Sequence, residues 1–299
     1  MNEVRVPGRV PSPLVEVADE RFARRGVRLL LKRDDLIHPD LVGNKWRKLT
    51  PSLRAAGGRP LVTFGGAWSN HLRATAAAGR LLGLETVGIV RGDELADRER
   101  NASLERCVAD GMRLCFADRA TYRRKAEPEV LAGLLRDAGT PPDAFVVPEG
   151  GSNGPAVRGC VALGEELRGL ADVAAVACGT GGTLAGMAAG LAPAQRALGV
   201  AVLKGGFLAE EVRRLQQEGF GGPRGRWEVE DRFHCGGFAR VPAELDAFAR
   251  DFEDRHGLGV ERVYVAKLLF ALTVLAEEGA FAPGTRLAAV VTGRPFPEG

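Results

Sequence analysis

Short apolar runs alternate along this chain with longer segments of helical periodicity. Pro60–Phe64, Thr86–Val90 and Val173–Ala177 are continuous apolar runs, typical of strands buried on both faces of a parallel sheet. The segment Ser69–Leu82 between the first two is rich in alanine and is followed by Gly83, a common helix end. The alternation predicts βαβ units and therefore an α/β fold.

The same reasoning assigns elements to the rest of the chain. We predict strands at Val27–Leu31, Pro60–Phe64, Thr86–Val90, Leu114–Phe116, Phe145–Val147, Val173–Ala177, Leu198–Val202 and Leu287–Val291. We predict helices at Lys45–Ala56, Ser69–Leu82, Ser103–Asp110, Thr121–Ala138, Val157–Gly169, Thr183–Leu191, Leu208–Glu218, Ala243–His256 and Tyr264–Glu278. Residues 1–26 are expected to wrap the surface, and residues 219–242 to form a loop that reaches the site. The result is two doubly wound α/β domains with no flexible linker between them, and a ligand cleft is expected where they pack.

Composition excludes several classes of function. The 299 residues carry a formal net charge of +3 with basic residues scattered, which argues against nucleic acid as a partner. The five cysteines include no C-x-x-C pair, so we expect a reducing compartment, no disulfide framework and no metal site. No apolar signal core or membrane-length apolar run is present, and a cytoplasmic location is expected.

A glycine-rich loop follows the predicted strand Val173–Ala177. Gly179-Thr180-Gly181-Gly182-Thr183 leads into a helix, and its backbone N–H groups, together with the helix dipole, suit an anion such as a phosphate. The spacing matches neither the Walker A loop nor the dinucleotide fingerprint. A tight turn that requires glycine for positive φ remains the alternative.

Lysines at the start of the helix Lys45–Ala56 form a second candidate. Lys45 follows Gly43-Asn44, and burial together with the nearby cations Arg47 and Lys48 would lower the pKa of its amine and make it nucleophilic. Taken alone, this segment is more typical of a basic helix start on a solvated face.

Several further positions carry polar groups where chemistry would need them. Ser69 and Asn70 sit where a predicted strand ends and a helix begins, and they either cap that helix or contact a ligand. His71 and the turn Glu149–Gly154 have the same ambiguous character. Tyr264, at the start of an apolar helix, is either a general acid/base or a core tyrosine with a satisfied hydroxyl.

The order of these motifs resembles one family of fold-type II pyridoxal 5'-phosphate (PLP) enzymes, the 1-aminocyclopropane-1-carboxylate (ACC) deaminase/D-cysteine desulfhydrase family. The resemblance covers residues from about 10 to 293. The matching segments are Leu31-Lys32-Arg33-Asp34-Asp35, Gly43-Asn44-Lys45-Trp46-Arg47-Lys48-Leu49, Gly65-Gly66-Ala67-Trp68-Ser69-Asn70-His71, Pro148-Glu149-Gly150-Gly151-Ser152-Asn153, Gly179-Thr180-Gly181-Gly182-Thr183 and Val263-Tyr264.

The resemblance implies a role for each position. Lys45 is expected as the Schiff-base lysine, with Lys48 as a supporting cation, and Tyr264 as a tyrosine over the cofactor. Ser69 is expected to meet the substrate carboxylate, and Asn70 the ring oxygen of PLP. Thr292 is expected to form a hydrogen bond to the pyridine nitrogen. The phosphate is expected to bind the loop formed by Gly179, Thr180, Gly181, Gly182 and Thr183.

The resemblance also implies an architecture and an activity. A small domain at 47–152 would be inserted in a large domain made of 1–46 and 153–299, with PLP in the cleft. The protein would be a homodimeric lyase or hydrolase of amino-acid metabolism that releases ammonia and a 2-oxo acid from a small amino acid.

Some positions depart from the family pattern. Phe238 stands where relatives tend to carry a second active-site tyrosine, and Val265 where ACC deaminases have a glutamate near the pyridine nitrogen. Ala266 and Arg294 replace glycines. These departures weaken ring opening more than β-elimination, and they leave other hypotheses open: a serine dehydratase-like or cysteine synthase-like enzyme, a non-catalytic PLP-binding protein, or a nucleotide-binding α/β enzyme in which Lys45 is idle.

Overall fold

A computed structural model describes residues 6–295, and the chain forms two compact units. The first unit consists of Leu49–Gly151 with residues 6 and 7, and the second of Gly8–Lys48 with residues 152–295. Each unit contains one sheet with helices on both faces, so the prediction of an α/β fold with parallel sheets is confirmed.

The elements alternate as the sequence pattern predicts. The strands are β1 (Leu14–Val17), β2 (Arg28–Lys32), β3 (Leu61–Gly65), β4 (Thr86–Arg91), β5 (Met112–Ala117), β6 (Phe145–Val147), β7 (Val173–Cys178), β8 (Arg196–Ala201), β9 (Trp227–Glu230) and β10 (Arg286–Val290). The helices are α1 (Glu20–Ala23), α2 (Lys45–Ala56), α3 (Asn70–Leu82), α4 (Ala102–Ala109), α5 (Arg119–Arg123), α6 (Pro128–Asp137), α7 (Gly154–Gly159), α8 (Val161–Glu166), α9 (Gly182–Gly190), α10 (Leu208–Phe220), α11 (Ala243–His256) and α12 (Val265–Glu277). Short 3₁₀ turns lie at Asp34–Leu36, Asp93–Leu95 and Glu149–Gly151. Of the helices in the described part of the chain, none has both the length and the apolar character needed to cross a membrane.

The sheet of the second unit has the order β1-β2-β10-β7-β8-β9. Only the β1–β2 pair is antiparallel, and β10 lies between β2 and β7, with Ala288 opposite both Leu30 and Ala174. One face is covered by α1, α11 and α12, and the other by α7 to α10. Because strand order reverses between β7 and β10, their carboxyl ends form a topological switch point, where ligands bind in open α/β sheets.

The sheet of the first unit is smaller and wholly parallel, in the order β5-β4-β3-β6. Its apolar faces are packed by α3 and α4 on one side and by α5 and α6 on the other. The order reverses between β3 and β6, so the loops that follow these strands meet at a second switch point.

One long predicted helix is wrong. Residues 121–138 form two helices, because Pro128 occupies the first turn of α6 and Glu127 is its N-cap. The residue before a proline is driven out of the helical region, which ends the preceding segment. The helix predicted at Val157–Gly169 is likewise two shorter helices that meet at Cys160.

The sequence pattern missed elements at the edges of the second sheet. The predicted loop 219–242 contains β9, and the N-terminal segment contains β1 and α1. Both strands are four residues long, and neither has a fully buried residue, so no apolar run marks them.

Candidate functional site

The glycine-rich loop lies at the switch point of the second unit. β7 ends at Cys178 and α9 begins at Gly182, with Gly181 as the N-cap in the left-handed region at φ 73°. Gly181 has no side chain to cap the helix, so the first N–H groups of α9 are left to other acceptors. The turn therefore does require positive φ at Gly181, and this requirement is compatible with anion binding at the start of α9.

The start of α2 is tied to this loop. The side-chain amide of Asn44 donates to Thr183 Oγ1 at 2.9 Å, and its backbone N–H donates to the carbonyl oxygen of Thr292 at 3.3 Å. These bonds place the residue before Lys45 against the start of α9 and against the segment that follows β10. Thr292 is half-buried at this same switch point.

Lys48 joins two hydroxyl groups of the second unit. Its Nζ donates to Ser152 Oγ at 2.5 Å and, at a longer 3.5 Å, to Thr180 Oγ1. The two hydroxyl oxygens are 2.5 Å apart, so one donates to the other. The remaining hydroxyl proton has no acceptor within residues 6–295, which makes this a donor-rich cluster.

Both lysines of α2 in this unit have lowered basicity. Burial lowers the pKa of Lys45 to about 8. Burial, followed by repulsion from Lys45, lowers the pKa of Lys48 to about 7. Within residues 6–295 the Lys45 amine forms no hydrogen bond or ion pair, so its lone pair is not committed to the protein. A neutral, uncommitted amine is what nucleophilic attack on a carbonyl requires.

Arg47 does not contribute to the low pKa of Lys45 as we expected. Its guanidinium is buried and forms ion pairs with Asp34 at 2.8 Å and with Glu166 at 2.8 Å. Lys32 pairs with Glu166 at 2.7 Å and donates to the Ser12 carbonyl at 2.6 Å. These groups form a buried ion cluster beneath the start of α2, and their charges offset one another.

Tyr264 stands beside the glycine-rich loop. It is the N-cap residue of α12, and its backbone N–H donates to Glu261 Oε2 at 2.7 Å. A β-carbon on Gly179 would lie 3.4 Å from the tyrosine hydroxyl, so the phenol lies against the loop. Phe238 packs edge-on against the Tyr264 ring, with 6.1 Å between ring centroids. The loop 219–242 therefore does reach the candidate site, through Phe238.

In the first unit, Ser69 and Asn70 open α3 at the second switch point. Ser69 is the N-cap, and its Oγ accepts from the N–H of Leu72 at 3.2 Å. Because Ser69 Oγ acts as an acceptor in this cap, its hydroxyl proton is not used by the cap. The Oδ1 atom of Asn70 accepts from Arg73, which leaves the NH₂ group of Asn70 as its outward donor.

His71 belongs to the structure of the same unit. Its Nε2 lies 2.7 Å from Thr63 Oγ1, which itself donates to the Val147 carbonyl at 2.8 Å. Since the threonine proton goes to Val147, His71 donates through Nε2–H. The ring also packs on Gly151, where a β-carbon would lie 3.0 Å from Cε1. Of the roles that the sequence left open for His71, these contacts favour a local structural one.

The groups of the second unit fit a phosphate ester. A helix N-terminus, an ammonium and two hydroxyls converge at Gly182, where a β-carbon would lie 2.9 Å from Ser152 Oγ and 3.4 Å from Lys48 Nζ. Because Gly182 has no β-carbon, hydrogen-bond donors line the space beside it. The oxygens of a phosphate accept hydrogen bonds from donors of this kind. Ser152 was not among the predicted site residues, although the resemblance had already singled out its segment.

Comparison with known proteins agrees with this geometry. The family described as "Pyridoxal-phosphate dependent enzyme" matches residues 7–293. A Pyrococcus horikoshii protein named "Putative 1-aminocyclopropane-1-carboxylate deaminase" is 29% identical over 268 residues, which cover 85% of this chain and 81% of that protein. An Arabidopsis thaliana protein, "Bifunctional D-cysteine desulfhydrase/1-aminocyclopropane-1-carboxylate deaminase, mitochondrial", is 33% identical over 183 residues, or 55% of this chain and 45% of that protein.

Solved structures show the same fold. The crystal structure of an ACC deaminase homologue superposes with a TM-score of 0.79 and 26% identity, covering 94% of this chain and 89% of the other. A fungal L-serine ammonia-lyase from Rhizomucor miehei superposes with a TM-score of 0.64 at 16% identity, covering 96% and 94%. At that identity the likeness concerns the fold alone.

Proposed function

The chain belongs to the family of pyridoxal-phosphate dependent enzymes, and from this premise we propose that it is a deaminase/lyase that releases ammonia and a 2-oxo acid from a small amino acid. D-Cysteine desulfhydrase-like β-elimination is the preferred reaction, and ACC deaminase-like ring opening the second. The observation that carries the proposal is the pair Lys45 and Lys48. One amine is uncommitted with a pKa of about 8, and the other, one helical turn away, lies in the donor-rich cluster.

The second unit supplies the groups that hold the cofactor. Lys48, Ser152, Thr180 and the N-terminus of α9 would hold the phosphate, whose negative charge would favour the charged form of Lys48. The Lys45 amine would hold the cofactor at its aldehyde. When bound, PLP supplies the electron sink for bonds broken at the α-carbon of the substrate.

The protein's own residues then move protons and orient the substrate. As a neutral base, Lys45 would take the Cα proton of the substrate, and Tyr264, which lies beside Gly179, is proposed as its partner. In the first unit, Ser69 keeps a spare hydroxyl proton while its oxygen caps α3, and the resemblance assigns this hydroxyl to the substrate carboxylate. The NH₂ group of Asn70 is likewise proposed as a donor to the ring oxygen of the cofactor.

The residues that the resemblance assigns to the surroundings of the pyridine nitrogen favour β-elimination. Thr292 is neutral and the buried Val265 is apolar, so neither supplies the negative charge that keeps a pyridine protonated. A weaker electron sink suits the loss of a leaving group from Cβ better than the opening of a carbon ring. D-Cysteine, whose thiol leaves readily, is therefore the first substrate to try.

A substrate screen tests the proposal. Purified protein with PLP is offered D-cysteine, ACC, D-serine and L-serine, and 2-oxo acid and ammonia are measured. We expect release from D-cysteine to exceed that from ACC, with a visible absorbance band from the bound cofactor that Lys45→Ala removes. If only L-serine were turned over, the function would instead be serine dehydratase-like. If the cofactor band were stable and no substrate were turned over, the protein would be a non-catalytic PLP-binding protein.

A further inference from the structure

Residues 233–240, called here the 233–240 turn, adopt a strained backbone. Cys235 and Ala239 have φ of 54° and 56°, in the left-handed region that residues with a β-carbon rarely occupy. Gly236 and Gly237 between them also have positive φ, at 87° and 118°. A turn with two such residues needs contacts from outside to keep its shape.

Lys267 provides such contacts. It is 0% exposed, and its ammonium donates to the carbonyl oxygens of His234 at 2.8 Å and Gly237 at 2.7 Å. Within residues 6–295 this ammonium has no carboxylate partner at ion-pair distance, so carbonyl oxygens of the turn are what compensate its burial. The same two carbonyls accept backbone bonds within the turn, from Gly237 N–H and Arg240 N–H.

The turn lies along one face of α12. Tyr264, Lys267 and Phe270 are three residues apart, so they share a helical face. Phe238 packs edge-on against Tyr264, and Phe233 packs edge-on against Phe270, each pair with 6.1 Å between centroids. Lys267 is therefore the polar link between two aromatic contacts that fasten both ends of the turn.

Tyr264 connects the 233–240 turn to the candidate site. Its hydroxyl lies against Gly179 of the glycine-rich loop, and the edge of Phe238 limits the rotation of its ring. A change in the turn would therefore release the phenol from the loop.

We propose that Lys267 is a positioning residue: by holding the carbonyls of His234 and Gly237, it keeps the 233–240 turn in the conformation that packs Phe238 on Tyr264. This inference rests on the proposed function only in treating Tyr264 as a site residue. The residue acts through Phe238 and touches neither substrate nor cofactor.

Amide hydrogen exchange on Lys267→Met tests the first step. Methionine keeps the length of the stem and removes the charged donors, so exchange in residues 233–240 should accelerate by about 10- to 100-fold. Peptides from β7 and α11 should exchange at the wild-type rate. Lys204→Met is the matched control, because Lys204 is an exposed lysine whose Cβ lies 3.9 Å from where a Gly237 β-carbon would be. Unchanged exchange in the turn of Lys267→Met would overturn the proposal.

The ring signals of the two tyrosines test the second step. With ring-labelled tyrosine, Lys267→Met and Phe238→Ala should both shift the Tyr264 signal, whereas the Tyr122 signal serves as an internal reference. The double variant should add little to Phe238→Ala, because both changes act through one contact. A Tyr264 signal that stays in place despite faster exchange of the turn would overturn the link. If Lys267→Met does not fold, Phe238→Ala and Lys267→Gln, which keeps one donor, carry the same comparison.

Both measurements are made without substrate, so they are independent of turnover. Failure of the wild-type protein to release any 2-oxo acid would refute the proposed function and leave the exchange and ring-signal results standing. Conversely, wild-type exchange and ring signals in Lys267→Met would refute the positioning role even in an active enzyme.

Discussion

Gly43 lies so close to Thr292 that a β-carbon on Gly43 would stand 1.7 Å from the carbonyl oxygen of Thr292. Its φ is +67°, in the region that favours glycine. The N–H of the next residue, Asn44, donates to the same oxygen. Segments far apart in sequence are thereby joined by one backbone contact immediately before Lys45.

Gly43→Ala should therefore lower stability and cofactor affinity together. The new methyl group must push α2 away from Thr292, and overpacking with left-handed strain costs about 2–4 kcal/mol. Urea unfolding measures the first effect and PLP titration the second. Gly57→Ala is the control, because Gly57 has φ +60° and nothing lies within 4 Å of an added β-carbon. This variant therefore introduces left-handed backbone strain without a steric clash. Equal losses in the two variants would show that the contact with Thr292 contributes nothing.

The low pKa of Lys45 predicts how cofactor uptake depends on pH. Protonated Lys45 cannot attack an aldehyde, so the uptake rate of the apo-protein should rise about tenfold per pH unit and level off above about pH 8. Pyridoxal, which lacks the phosphate, isolates this titration in stopped-flow absorbance. Lys48→Met should keep this midpoint while weakening the affinity for PLP. A midpoint near pH 10, or one that moves in Lys48→Met, would contradict the assignment to Lys45.

Breaking the buried ion cluster should be costly. Arg47→Met leaves the carboxylates of Asp34 and Glu166 without their main cation, and loss of one partner of a buried pair costs about 3–5 kcal/mol. Arg24→Met is the matched control, since the Arg24–Glu20 pair is exposed and should contribute about 0–1 kcal/mol. Chemical unfolding of both variants measures the difference. Similar small losses would mean that the cluster does not stabilise the start of α2.

Asp19 predicts an acid-sensitive contribution to stability. Burial alone would raise its pKa, but hydrogen bonds from Arg21 and His256 outweigh burial and lower the pKa to about 2. A depressed carboxyl pKa stabilises the fold above the unfolded value of 3.8, and this contribution is lost as pH falls from about 4 to about 2. At about 1.4 kcal/mol per pKa unit, this shift corresponds to about 2 kcal/mol of pH-dependent stability in this window.

Asp19→Asn isolates that charge. Asparagine caps α1 as well as aspartate does, so the variant removes the charge and keeps the cap. Its free energy of unfolding should vary less than that of the wild type between pH 4 and pH 2 when unfolding is followed at several pH values. Parallel curves for the two proteins over this range would rule out Asp19 as the source.

Elements with a strong apolar or glycine signal could be predicted from the sequence, and those without one could not. The bounds of α2 were predicted correctly, and Gly83 does end α3 in the left-handed region. The edge strand β9 could not be found, because its side chains are partly exposed and its pairing with β8 is set by tertiary contact.

The candidate site shows the same division. The glycine-rich loop and Lys45 were found because both are local patterns, and the resemblance brought them together. The ion cluster of Arg47 was missed because Asp34 and Glu166 are separated from it by 13 and 119 residues, and nothing local distinguishes their charges from solvated ones. Lys267 could not be found from the sequence, since its partners are backbone carbonyls that have no sequence signature.

The position of β10 has a consequence for the order in which the protein matures. β10 is the last strand of the described chain, yet it pairs with β2 on one side and β7 on the other. During synthesis, β2 and β7 emerge long before the strand that joins them, and Thr292 follows that strand by two residues. The six-stranded sheet therefore closes only after residues 286–290 have left the ribosome. A chain stalled before Arg286 would expose two unpaired strand edges, one on β2 and one on β7.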